Sequence, residues 1–146
     1  MIIEPLTVEA AAAFVPQAAQ MSPAALALLR DPAHVRDLNE AGRAYAVRGD
    51  GRVIALAGLS DHGGGRAMAW CYLADRIARF MPGLTRAAAA QMNASGYRRI
   101  EMVTLADWLP ATRWALKLGF AFEGYSPAWF PDGREAWRWG RGAWTR

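Results

Sequence analysis

Residues 111–124 read ATRWALKLGFAFEG. The architecture turns on this stretch. Leu109, Trp114 (or Ala115) and Leu118 recur at helical spacing, so a helix is expected from about Leu109 to Leu118. Gly119 follows at once. Glycine adopts a positive φ without steric cost and so can end a helix with a left-handed residue. Phe120 can then pack back onto the helix end, and Phe120–Tyr125 reads as a strand running on towards Trp129. Helix passes into strand with almost no loop.

Upstream, Arg98–Leu105 reads as a strand, with Ile100, Met102 and Thr104 on one face and Glu101, Val103 and Leu105 on the other. Before it, Leu84, Ala87, Ala88, Gln91 and Met92 mark a helix from Leu84 to about Ser95, stopped by Gly96. Ala74–Gly83 is expected to be irregular. Ala67–Leu73 is apolar throughout, so it reads as a central strand covered on both faces. Two apolar runs around Gly49-Asp50-Gly51 form a hairpin, Ala44–Arg48 with Val53–Leu59. The N-terminal third reads as a strand at Ile2–Leu6 and a helix from Val8 to about Ala19 capped by Thr7. A second helix starts at Ser22-Pro23, and a third runs from Asp31-Pro32 to about Glu40, stopped by Gly42. Downstream, Phe130-Pro131-Asp132-Gly133 is a turn, Glu135–Gly140 is a returning strand, and Gly142–Arg146 is a tail. The order is β-α-α-α-β-β-β-α-β-α-β-β.

At 146 residues the chain fits one domain spanning 1–146. No apolar run reaches the roughly 20 residues that span a bilayer. Ala10–Ala19 contains Pro16 and lacks a basic leader, so it is a poor signal peptide. The single cysteine, Cys71, cannot form an internal disulfide, which fits a reducing compartment or simply indifference to redox state; a cytoplasmic location is expected. The net charge is +4 and Lys117 is the only lysine. The arginines are scattered, so coding bias accounts for most of them and a nucleic-acid partner is not favoured. His34, His62 and Cys71 have no metal-ligand spacing, and no metal site is expected. Trp129, Trp137, Trp139 and Trp144, with Arg134, Arg138 and Arg141, could form a stacking surface, a homodimer patch, or simply one buried and one solvated face.

The element order, with Leu118-Gly119-Phe120 and Glu123-Gly124, resembles the GCN5-related N-acetyltransferase (GNAT) superfamily. Gly96-Tyr97-Arg98-Arg99-Ile100-Glu101, followed by Arg113-Trp114, is similar to GNAT-like proteins encoded by phages and prophages, some of them virion components. The resemblance implies an α/β (α+β) fold, with a mixed central sheet of about six to seven strands flanked by helices. It implies an acyltransferase that takes acetyl-CoA or another acyl-CoA as donor and a small-molecule or protein amine as acceptor. An inactive GNAT-like binding protein or phage structural protein is the alternative.

In that family the fourth strand and the start of the next helix hold the coenzyme. The corresponding residues are Cys71, Tyr72 and Leu73 on the strand, and Arg79, Gly83 and Leu84 at the helix start. The family's phosphate loop, Gln/Arg-x-x-Gly-x-Gly/Ala, is matched by Arg79-Phe80-Met81-Pro82-Gly83-Leu84. Its one glycine is displaced by one position, and Pro82 has no N–H to give. Arg76, Arg79 and Arg86 could compensate by charge. Where the family often has an acidic tyrosine and an asparagine, this chain has Ala115 and Trp108. Tyr72 is the substitute acid, or rim packing. Glu101 is the candidate base, or an outward partner of Arg98 or Arg99, with Asp75 and Asp107 as lesser candidates.

Overall fold

The computed structural model describes residues 1–20 and 22–143; Trp144 and the rest of the expected tail lie outside them. The expected element order holds. A seven-stranded mixed sheet runs in the order β1-β2-β3-β4-β5-β7-β6 and is flanked by helices. Its strands are β1 (Ile2–Pro5), β2 (Gly42–Gly49), β3 (Arg52–Asp61), β4 (Arg66–Leu73), β5 (Arg99–Leu105), β6 (Ala121–Ser126) and β7 (Ala136–Gly142). The helices are α1 (Val8–Ala13), α2 (Pro23–Arg30), α3 (Pro32–Glu40), α4 (Met81–Ala94) and α5 (Leu109–Lys117). The chain divides into two compact units. One comprises Met1–Asp61 with Ala69–Gly83; the other comprises His62–Met68 with the chain from Leu84 onward.

In the first unit β1, β2 and β3 form an antiparallel meander. The β2–β3 turn is Asp50-Gly51, with φ of 51° and 74°, the pair of positive values that a two-residue hairpin loop requires. Ile54, Ala55 and Leu56 on β3 are fully buried, with Phe14, Leu29 and Val35 from the helical segments. Thr7, Ser22 and Asp31 cap their helices through side-chain oxygens, as their residue types require.

Three sequence expectations fail here for physical reasons. The first helix ends at Ala13, not near Ala19. Pro16 forces the residue before it out of helical geometry, and only a 3₁₀ turn, Ala18–Gln20, follows. Gly42 does not stop the third helix but opens β2, where a Cβ would collide with the Leu59 carbonyl. The α4 helix starts at Met81 rather than Leu84, because proline is tolerated in a first turn whose N–H groups have no helical partner anyway.

In the second unit, β5, β7 and β6 are antiparallel neighbours, and β4 pairs with β5 in parallel at Arg66↔Arg99, Ala67↔Ile100 and Met68↔Glu101. The α5–β6 junction closes as a full Schellman motif. Gly119 sits at φ 80°, its N–H donates to Leu116 O (3.0 Å), and the Phe120 N–H donates to Ala115 O (3.1 Å). Phe120 and Ala115 are both buried, which supplies the apolar clasp that accompanies the motif. Trp114 Nε1 donates to Thr85 Oγ1 (2.9 Å), tying α5 to α4, and Trp139 Nε1 donates to the buried Thr104 Oγ1 (2.9 Å). Leu109, whose helical spacing with Leu118 should turn it inward, is exposed. Leu109 opens its helix beside Pro110, while Ala115 and Leu118, on the expected face, are buried.

Candidate active site

The end of β4 is central in the sheet but only half-buried from Met68 to Leu73, not sealed on both faces as its apolar run suggests. The Ala74 N–H donates to Ile54 O on β3 (3.0 Å). Backbone groups alternate along a strand, so Cys71 and Leu73 turn theirs to the edge away from β3. That edge is engaged by the 3₁₀ segment. Gln20 Nε2 donates to Cys71 O (2.8 Å), and Gln20 Oε1 accepts from the Leu73 N–H (2.8 Å). The Gln17 N–H donates to Leu73 O (2.7 Å), and Gln17 Nε2 donates to Gln20 Oε1 (3.0 Å). A side-chain carboxamide is thus gripped by a backbone donor–acceptor pair two residues apart. Sequence reasoning named Cys71, Tyr72 and Leu73 but missed Gln17 and Gln20. Partners 51 and 53 residues apart, joined through backbone atoms, leave no motif.

The expected phosphate region is a 3₁₀ turn, Ala78–Phe80, leading into α4. Arg79 is exposed, pairs with Asp50 and stacks over the Phe80 ring with its guanidinium carbon 4.9 Å from the centroid. Arg76 is exposed with φ 57°. Gly83 does not front an open cradle: a Cβ there would lie 3.1 Å from the Met1 methyl. Leu84 is buried and could contribute only its backbone to a ligand.

Glu101 is tied down on β5. It accepts two hydrogen bonds from Arg66 Nη2 (2.9 and 3.0 Å) and a third from Arg99 Nε. Arg99 also forks onto Glu123 across β7. The bridge passes over Gly140, where any Cβ would strike the Glu123 carboxylate. Glu123 can reach because it sits in the irregularity between Phe122 and Gly124. The hydrogen bond from Arg99, then that from Arg66 and the charges of both, hold the Glu101 carboxyl below the usual carboxylate range, against a smaller opposing push from burial. Arg99 is raised in turn, first by its hydrogen bonds to Glu123 and then by that to Glu101. Of the sequence alternatives for Glu101, the Arg99 partnership is present. Arg98 instead donates to Gly64 O (2.8 Å).

Tyr72 lies at the end of β4 with Trp70 beside it, ring centroids 6.4 Å apart. Burial, and secondarily Cys71, raises its phenol, which therefore stays protonated well past neutrality. The Cys71 thiol is pushed up to about 12 by burial. Ala115 is fully buried within the Schellman motif, and its methyl side chain carries no proton donor. Among the described residues no group of three His, Cys, Asp or Glu side chains could hold a metal ion. No helix among the described residues is long and apolar enough to cross a membrane. β7 carries both buried and exposed residues, as one of the three sequence alternatives has it, while Trp129 is exposed. On that strand Trp139 is buried and Arg138 is exposed, while Tyr125, Trp137 and Trp139 pack edge-on around Phe122.

No family model matches the chain, and no curated protein matches it. Solved structures do match over nearly its whole length. An IAA acetyltransferase from Bacillus cereus is 18% identical, with a TM-score of 0.68, covering 96% of this chain and 97% of its own. An N-acetyltransferase from Staphylococcus aureus is 14% identical, with a TM-score of 0.72, covering 97% of each chain. An acetyltransferase of the GNAT family from Streptococcus pneumoniae is 12% identical, with a TM-score of 0.68, covering 96% of this chain and 97% of its own. The fold is that of GNAT acyltransferases. These matches lend no support to the phage-like resemblance.

Proposed function

We propose that the chain is an N-acyltransferase that takes an acyl-CoA donor and an amine acceptor. One observation carries the reading beyond the fold: Cys71 O and the Leu73 N–H, on the edge of β4 away from β3, already hold a carboxamide. The pantetheine arm of coenzyme A carries two secondary amides, and the same pair of backbone groups suits either. Arg76 and Arg79 offer positive charge at the following turn, although the family's glycine cradle is not formed there. In the transfer the acceptor nitrogen bonds to the thioester carbon, the C–S bond breaks, and the thiolate takes a proton. Tyr72, kept protonated by burial, is the candidate acid. Glu101 is the candidate base, directly or through water, and its two guanidinium partners make it a weak one.

That restraint on Glu101, together with Pro82 and the covered Gly83, favours a second reading: a GNAT-like protein that binds an acyl-CoA without turning it over. Calorimetry with acetyl-CoA, followed by thiol release in the presence of a panel of amines, separates the two. Binding with amine-dependent thiol release supports the enzyme. Binding without release supports the second reading, and no binding at millimolar acetyl-CoA sinks both.

A further inference from the structure

We propose that Gln20 is a built-in competitor for the β4 edge and sets the affinity for the acyl donor; the inference rests on the acyltransferase reading above. The Gln20 carboxamide uses one acceptor and one donor, both on backbone groups of one strand edge. A secondary amide of a pantetheine arm presents the same two atoms. The two cannot share Cys71 O and the Leu73 N–H, so one leaves when the other arrives. The contact is built, not incidental. Gln17 Nε2 donates to Gln20 Oε1, which fixes that atom as the acceptor and turns Nε2 towards Cys71 O. The Gln17 backbone N–H, bonded to Leu73 O, anchors the 3₁₀ segment beside the strand independently of the Gln20 side chain. Gln20 can therefore swing out while its segment stays in place.

This arrangement keeps a central strand's edge satisfied in the absence of donor, where an unpaired half-buried N–H and C=O would cost stability. It also lowers donor affinity by the factor with which Gln20 favours its docked state. Two neutral hydrogen bonds, each contributing roughly two- to tenfold, set that factor at about tenfold or more.

The test compares wild type with Gln20→Ala and with Gln20→Met, which keeps side-chain length but neither polar atom. Thermal unfolding first establishes that each variant folds. Hydrogen exchange of the Leu73 amide is then read by NMR without ligand, and coenzyme A binding is read by calorimetry. The expected results are Leu73 exchange about tenfold faster in both variants and a Kd for coenzyme A about tenfold lower in at least one. Gln17→Ala should lower the Kd by a smaller factor, because it loosens Gln20 without removing it. If wild type binds coenzyme A and both Gln20 variants bind equally or more weakly, the inference is overturned and the acyltransferase reading stands. Unaltered Leu73 exchange also overturns it. If no form binds coenzyme A, the acyltransferase reading fails and the inference falls with it.

Discussion

Replacing Gly119 with alanine tests the helix-to-strand junction at its narrowest point. Gly119 holds φ 80°, and a Cβ there would meet only Arg141 Nε at 3.4 Å, an ordinary contact. The cost is therefore that of the left-handed backbone, about 1–2 kcal/mol for an L-residue. The chain could relax to negative φ, but that would break the Gly119 N–H to Leu116 O and Phe120 N–H to Ala115 O bonds. It would also pull Phe120, 3% exposed, out of the core. Two hydrogen bonds at about 0.5–1.5 kcal/mol each, with the lost burial of an aromatic ring, exceed the left-handed penalty. Alanine should therefore keep the left-handed geometry and pay its cost.

Urea denaturation should show a loss of about 1–2 kcal/mol with an unchanged slope, and the Tm should fall by about 2–8 °C at a typical 2–4 °C per kcal/mol. Gly119→Asn should lose less, since asparagine tolerates this region better. Gly96→Ala is the control, with φ 81° and nothing within 4 Å of its added methyl. Its loss should match that of Gly119→Ala. A loss at Gly119 beyond about 4 kcal/mol, or no loss at all, would refute the argument that chirality alone sets the cost.

At Gly140, alanine should destabilise by about 1–3 kcal/mol, because its methyl strikes Glu123 and breaks the fork from Arg99; adding Glu123→Ala should recover part of that loss in denaturant titrations. Glu101 has a depressed carboxyl pKa, so its contribution is full above the ordinary value of 4.5 and is lost as pH falls through the lower folded value. Stability of Glu101→Gln measured against pH should therefore fall less steeply below about pH 4.5 than that of wild type, and parallel curves would disprove the coupling. Cys71, pushed up to about 12, should react slowly with aromatic disulfide reagents at pH 8, and modification as fast as that of an ordinary thiol would contradict its raised pKa. With Glu101 so weak a base, kcat/KM for amine acetylation should keep rising with pH towards the acceptor's own pKa; a plateau from near pH 5 would show that Glu101 carries the proton after all.

The fold was legible because its signals are local. Thr7, Ser22 and Asp31 mark helix starts, Asp50-Gly51 a hairpin, and Leu118-Gly119-Phe120 the Schellman junction, each within a few residues. Where reading failed, two local rules competed. Alanine-rich periodicity ran past Val15 although Pro16 had already ended the helix, and Pro82-Gly83 looked like a breaker although proline suits a first turn. Gly42 shows a different limit. Its need for glycine comes from the Leu59 carbonyl on the facing strand, and nothing beside it in the chain announces that.

The site was less legible, because its chemistry depends on which hydrogen-bonding groups are already engaged. The sequence offers Leu73 as a strand residue, but only the fold shows its N–H held by Gln20. It offers Glu101 as a carboxylate on a strand, but Arg66 lies 35 residues upstream, and Glu123 enters the same network only through the space above Gly140. Both features act in one direction. Each satisfies a polar group that the proposed reaction would need free: an edge amide for the donor in one case, a basic carboxylate in the other. Satisfying such groups stabilises the ligand-free fold and makes each step of the chemistry harder. The two restraints differ in kind. Gln20 is held by neutral hydrogen bonds that an incoming amide can exchange one for one, so the β4 edge can open. Glu101 is held by charge-assisted hydrogen bonds from two guanidinium groups, which are stronger than neutral ones, so that network is the harder to open. On the proposed acyltransferase reading, donor binding would be the reversible element and base strength the fixed one.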